Sequence, residues 1–199
     1  MDFLPIFLNL KGARCLVVGG GAVAARKAGL LLGCGARVAI VAPELGEALA
    51  AEKAAGRIEH IPARFAEAHL AGATVVIAAT DDHAVNAAVS QAAKARDLPV
   101  NVVDSPELCS FIFPSIVDRS PMIIAVSTGG ASPVLARLMR AKLETLLPAA
   151  YGRLAQMANA LRERVKQHFA NPAQRRIFWE RMLGGSFADL VLAGKGTEA

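Results

Sequence analysis

At 199 residues the chain can bury one good core, or a core with a smaller appendage. Hydrophobic residues reach 54% and mean hydropathy is +0.39, but much of this is alanine at helical positions. No apolar run approaches the roughly 18–20 residues that cross a bilayer, so a membrane span is excluded. A net charge of +5 and a pI near 9.4 favour an anionic ligand. Nucleic acid is not singled out, because the basic residues between Arg137 and Arg181 alternate with apolar ones at helical spacing and few aromatics accompany them.

The start, Met1-Asp2-Phe3-Leu4-Pro5, lacks the basic and long apolar stretches of a signal peptide, which gives a cytoplasmic expectation. Cys15, Cys34 and Cys109 are odd in number and widely spaced in or beside apolar segments. They read as buried free thiols of a reducing compartment, with no disulfide or zinc site.

Residues 14–18 predict a strand that runs into Gly19-Gly20-Gly21 and then a helix over 22–32. Gly19, Gly21 and Ala24 fit the G-x-G-x-x-G/A spacing of a dinucleotide-binding crossover. The first glycine allows the tight turn, the second lets backbone approach a pyrophosphate, and the small third residue packs helix on strand. The N–H groups at the helix start, Ala22 and Val23 among them, then face the phosphates.

A second strand is expected at 37–41, a helix at 44–55, and a third strand at 57–63. The continuous apolar run 73–79 predicts a strand buried on both faces. An amphipathic helix over 82–95 and a short strand at 100–103 complete an alternation that implies a parallel sheet covered by helices. Ligand then sits beyond the carboxyl ends of the strands, where Thr80, Asp81, Asp82, Asn101 and Asp104 fall. Asp81 suits a ribose or pyrophosphate contact or a helix cap, and capping is favoured for Asp82.

After Asp104 the pattern changes. Residues 110–117 and 122–126 predict two antiparallel strands joined by Asp118-Arg119-Ser120-Pro121. A lone hairpin exposes its edges, so pairing with a second copy, and hence a homodimer, is expected. Ser127 to Ala131 form a loop, and Ser132-Pro133 opens a helix that runs to about Leu147. The rest is helical with breaks near Asn171-Pro172 and Gly184-Gly185, and the tail from Gly194 to Ala199 reads as a frayed end or linker. The fold class is therefore α/β: a Rossmann-type parallel sheet over residues 1–113, a hairpin–helix dimerisation region over 114–147, and a C-terminal helical region over 148–199.

Taken in order, several segments resemble the dehydrogenase–chelatase module of the siroheme synthase family. They are Asp2-Phe3-Leu4-Pro5-Ile6-Phe7, Val17-Val18-Gly19-Gly20-Gly21-Ala22-Val23-Ala24, Ala78-Ala79-Thr80-Asp81-Asp82 and Asn101-Val102-Val103-Asp104. Phe111-Ile112-Phe113-Pro114-Ser115-Ile116, the stretch from Ile124 to Pro133, and Arg175-Arg176-Ile177-Phe178-Trp179-Glu180 carry it toward the C-terminus. The resemblance implies NAD-dependent oxidation of precorrin-2 to sirohydrochlorin, followed by insertion of ferrous iron, which is a substrate and not a resident metal. It also implies the alternative of a dehydrogenase alone, and a methyltransferase that makes precorrin-2 as a fusion partner in a longer chain. An NAD-responsive regulator that binds nucleic acid is the alternative from a different class, disfavoured by the missing recognition-helix pattern.

The same resemblance makes Asp104 the essential carboxylate, a base for a ring-carbon or pyrrole proton. Gly19, Gly20, Gly21, Ala22, Val23, Pro43, Glu44, Thr80 and Asp81 are the candidate cofactor contacts. No arginine follows the second strand to receive a 2′-phosphate, so NAD is expected over NADP. Asn101, Ser127, Thr128 and Gly129 are the candidate substrate contacts, with the loop before the helix as an anion site for a tetrapyrrole bearing eight carboxylates. Arg119 and Arg137 are possible additional charges there. Family members often carry serine at the position of Thr128; phosphorylation of Ser127 or Thr128 would repel such a substrate. His60, His69, His83 and His168 show no paired ligand spacing, and no metal site is expected.

Overall fold

The computed structural model describes residues 2–194, and contacts divide the chain into two units, Met1–Phe113 and Pro114–Ala199. In the first, β1 (Arg14–Val18), β2 (Arg37–Val41), β3 (Ile58–Ile61), β4 (Val75–Ala78) and β5 (Val100–Val102) form one parallel sheet. Its order is β3-β2-β1-β4-β5. The chain winds outward from β1 to β3, then returns to the other side of β1, which makes the β1/β4 boundary the point where winding reverses.

Side-chain alternation sorts the sheet into two cores. Cys15, Val17, Val38, Ile40, Val75 and Ile77 pack against Ala24, Ala28 and Leu31 of α1 (Ala22–Gly33) and Leu49 of α2 (Glu47–Ala54). Leu16, Val18, Ala39, Val41, Val76, Ala78, Val100 and Val102 pack on the opposite face with Val89, Ala92 and Ala93 of α3 (His83–Lys94). β4 is buried along its whole length, which is why it reads as an unbroken apolar run.

Two boundaries differ from the sequence expectation in an informative way. The second helix begins at Glu47 and not at 44, because the amide of Gly46 donates to the carbonyl of Gly20 (2.8 Å) and holds 44–46 against the glycine turn. Residues 110–113 are not strand: the Ser110 amide donates to the Val100 carbonyl (2.8 Å), so this segment runs along the outer edge of β5.

In the second unit β6 (Ser115–Arg119) and β7 (Met122–Val126) form an antiparallel hairpin that turns at Ser120-Pro121. Asp118 and Arg119, expected in the connection, belong to β6. Among the described residues four helices follow: α4 (Pro133–Leu146), α5 (Ala150–His168), α6 (Pro172–Leu183) and α7 (Ser186–Leu192). Each expected break stands: Asn171 caps α6 through Oδ1 to the Ala173 amide (2.8 Å), and Gly184-Gly185 separates α6 from α7. Gly152 lets α5 meet the hairpin turn, since a Cβ there would lie 2.6 Å from the Arg119 carbonyl oxygen.

The thiols are not uniformly buried as expected. Cys15 lies inside β1, Cys109 is half-buried, and Cys34 is exposed because it caps the solvent end of α1. Of the expected linker-like tail, residues 195–199 lie outside the described residues.

Candidate functional site

The carboxyl ends of β1, β2, β4 and β5 are level. Val18 pairs with Val41 and Ala78, and Ala78 pairs with Val102. Hydrogen bonds extend this register one step further, from Gly19 to the Val41 carbonyl (2.9 Å), from Ala79 to Val18 (2.8 Å) and from Val103 to Ala78 (2.9 Å). The turns that leave these strands therefore meet along one edge. Gly19–Val23, Pro43–Glu44, Thr80–Asp81 and Asp104 are thereby brought to the same side of the sheet.

The three turn glycines are required for different reasons. Gly19 has φ 127°, and a Cβ would strike the Ala79 carbonyl, so both conformation and the close passage of β4 demand glycine. Gly20 faces the Glu44 carbonyl, which a Cβ would also strike. Gly21 is different: it caps α1 with φ −85° and ψ −174°, and a Cβ would meet no protein atom within 4 Å. Neither backbone nor packing asks for glycine at 21. The feature a side chain there would obstruct is the open space before α1. That helix has no side-chain N-cap and no acid in its first turn, so its leading N–H groups and positive dipole end are free for an anion. These residues fit a dinucleotide pyrophosphate.

After β4 the turn is locked from below. Asn86, buried in α3, donates through Nδ2 to the Thr80 carbonyl (2.9 Å) and accepts from the Thr80 hydroxyl (2.8 Å). Asp82 caps α3 by accepting from the Ala84 and Val85 amides (2.9 and 3.2 Å), as expected, and this leaves Asp81 exposed at the tip. Asn86 carries no sequence signal beyond a polar residue on a helix face.

Asp104 is exposed just beyond β5 with φ 57°, in the left-handed region that few residues other than glycine, Asn and Asp adopt. Asp97, in the turn that precedes β5, shares this conformation with φ 53°. Asn101 is buried, and its Nδ2 donates to the Phe111 carbonyl (3.0 Å), fastening the segment that covers the β5 edge. The Cys109 thiol accepts from the Val102 amide (3.1 Å) in the same seam.

That seam carries Phe113, and the ammonium of Lys27 on α1 sits 3.9 Å from its ring centroid. Burial, then neighbouring Arg26, pulls the Lys27 ammonium below the ordinary lysine range, while Cys109 and Asp104 pull it back up. Lys27 was not a sequence candidate, since a lysine inside an alanine-rich helix looks like solvated surface.

Ser127, Thr128 and Gly129 belong to the second unit. Thr128 Oγ1 accepts from the Ser132 amide (3.0 Å) and donates to the Ser132 carbonyl (3.1 Å), and Ser127 Oγ accepts from the Gly129 amide (3.1 Å). Both side chains thus hold the loop, and Ser132 caps α4 by accepting from Leu135 (3.2 Å). Arg119, considered as an anion contact, is spent on the C-terminal end of α4, donating to the Leu147 and Glu144 carbonyls (2.7 and 3.4 Å). Arg137 is exposed. His60 contacts the Ala42 carbonyl (2.9 Å) and His69 accepts from the Ala66 amide (3.1 Å). Among the described residues no group of three or more His, Cys, Asp or Glu could hold a metal, and no helix is long and apolar enough to cross a membrane.

Three family models match consecutive stretches: "Putative NAD(P)-binding" over residues 6–115, "Sirohaem biosynthesis protein central" over 119–146, and "Sirohaem synthase dimerisation region" over 150–199. Two relatives are the siroheme synthases of Nitrosospira multiformis, 57% identical over 100% of this chain, and Methylobacillus flagellatus, 57% identical over 98%. The chain spans 43% and 42% of their lengths. The solved structure of SirC, a precorrin-2 dehydrogenase, aligns with a TM-score of 0.77 at 27% identity, covering 90% of this chain and 89% of its own.

Proposed function

The chain belongs to the siroheme synthase family, whose NAD(P)-binding, central and dimerisation regions it carries in order, and from that premise we propose that it oxidises precorrin-2 to sirohydrochlorin. The observation that carries the reading is the convergence of the open Gly21 approach, the free start of α1 and the left-handed Asp104 on one edge of the sheet. The alignment with a precorrin-2 dehydrogenase over nine-tenths of the chain supports dehydrogenation as the primary activity.

NAD+, when bound, supplies the hydride acceptor. The chain's own residues do the rest. Gly19 and Gly21 would let backbone reach the pyrophosphate, the N–H groups of Ala22 and Val23 would hold it, and Thr80–Asp81 would border it on the β4 side. Pro43 and Glu44 follow β2, where the adenosine ribose is read, and no arginine stands in that turn to take a 2′-phosphate, which favours NAD over NADP. Oxidation removes a hydride and a proton from the tetrapyrrole, and the Asp104 carboxylate accepts the proton. Asn101 holds the β5 edge that aims Asp104. Ser127, Thr128 and Gly129 shape a loop for the substrate's carboxylates.

Insertion of ferrous iron, with loss of two pyrrole protons to the same carboxylate, is the second activity in this reading. The protein acts as a cytoplasmic homodimer, linked in longer chains to a uroporphyrinogen methyltransferase. Dimerisation is supported by the exposed apolar face of α4, formed by Val134, Leu135, Leu138 and Leu146, together with Ile116 of β6. The match of a dimerisation model to 150–199 extends that role to α5–α7. The test is anaerobic incubation with precorrin-2 and NAD+. Stoichiometric NADH and sirohydrochlorin support the reading, and their absence refutes it. Addition of Fe2+ to sirohydrochlorin then reports the second activity separately.

A further inference from the structure

We infer that Lys27 is a substrate-binding residue that takes one carboxylate of the tetrapyrrole beside Asp104. The inference deepens the dehydrogenase reading and rests on it. Lys27 lies on α1, whose Ala24, Ala28 and Leu31 are buried against the sheet, so its Cα is fixed to the rigid part of the unit. Its ammonium is held over Phe113, and Phe113 is itself fixed edge-to-face against Phe111 with centroids 5.2 Å apart. Phe111 is in turn tied to β5 through Asn101. A half-buried cation ordinarily finds a carboxylate, because desolvation without a counter-charge is costly. Among the described residues Lys27 has neither an ion pair nor a hydrogen bond. The titratable groups acting on it are Arg26 of its own helix and, from the β5 side, Cys109 and Asp104.

Position separates this cation from the cofactor's phosphates. Lys27 is five residues into α1, roughly 8 Å along the axis from the helix start at about 1.5 Å per residue. Its ammonium lies over Phe113, in the seam that follows Asp104. A compact ammonium on an aromatic platform, with no carboxylate within ion-pair distance among the described residues, suits a polycarboxylate. It also orients the macrocycle so that a reacting position meets Asp104.

The test is anaerobic titration of the protein with sirohydrochlorin and, separately, with NAD+. It compares the wild type with Lys27→Met and Lys27→Arg. Met keeps an apolar stem and a sulfur–aromatic contact over Phe113, so folding is preserved. Arg keeps the charge. Lys27→Met weakens sirohydrochlorin binding by about ten- to a hundredfold, the usual range for a lost charge-assisted bond. Lys27→Arg restores most of it, and NAD+ affinity is unchanged in both. Equal sirohydrochlorin affinity in wild type and Lys27→Met overturns the inference and leaves Lys27 as a clamp on Phe113. A loss confined to NAD+ overturns it by moving the ammonium to a phosphate. Failure of the wild type to bind sirohydrochlorin would instead refute the dehydrogenase reading on which the inference rests.

Discussion

Replacing Gly21 and Gly19 by alanine separates a glycine kept for a ligand from one kept for the fold. At Gly21 the added methyl has ordinary φ and no protein neighbour within 4 Å. Alanine loses roughly 0.5–1 kcal/mol as an N-cap relative to glycine. It regains about 0.4–1 kcal/mol by restricting the unfolded chain. The two nearly cancel, so Gly21→Ala should melt within a few degrees of the wild type. At Gly19 the methyl sits at φ 127° and strikes the Ala79 carbonyl. Backbone strain costs about 1–3 kcal/mol and overpacking about 1–3 kcal/mol more. Domains of this size are stable by only about 5–15 kcal/mol, so Gly19→Ala loses a large share of its stability. Urea denaturation gives the stabilities and calorimetric titration gives NAD+ affinity. Gly21→Ala should fold normally and bind NAD+ at least about tenfold more weakly, a difference of about 1.4 kcal/mol. Wild-type affinity in that variant would refute the assignment of the open approach to the pyrophosphate.

Asp118 carries a pH dependence with a definite sign. Hydrogen bonds from the Ser120 hydroxyl (2.6 Å) and amide (2.8 Å) lower its carboxyl below the ordinary aspartate range. The folded state therefore releases this proton more readily than the unfolded one. The resulting stability is present at neutral pH and is lost as pH falls from the ordinary aspartate range through the folded value. Because the group is exposed the effect is small, and Asp118→Asn should flatten the acid limb of a thermal-melting profile measured against pH. Burial raises the Cys15 thiol, so a thiol reagent should modify exposed Cys34 quickly in the native protein and Cys15 only after unfolding. Fast native labelling at Cys15, read by mass spectrometry, would contradict the β1 core.

The Rossmann unit was legible because its signals are local and agree with one another. The run 73–79 reads as a doubly buried strand and holds β4 at Val75–Ala78, the Gly19–Ala24 spacing fits a strand–turn–helix, and Asp82 announces the start of α3. What was not legible depends on partners distant in sequence. Gly46 shortens α2 because it bonds to Gly20, and 110–113 leave the hairpin because β5 offers an open edge. The site divides in the same way. Gly21 and Asp104 stand where the motif and the strand end put them, whereas Asn86 and Lys27 become visible only through Thr80 and Phe113. Arg119, read as available charge, is tied to the end of α4, a contact that no spacing reveals.

The most direct test of the central claim is the rate of anaerobic NADH formation from precorrin-2 and NAD+ by the wild type and by Asp104→Asn, with both ligands saturating. Asn also tolerates φ 57°, so the variant removes the carboxylate and keeps the turn. The account predicts a folded variant that binds NAD+ normally and turns over about 10²–10⁴-fold more slowly, the usual contribution of a positioned general base. Turnover at the wild-type rate in Asp104→Asn would contradict it.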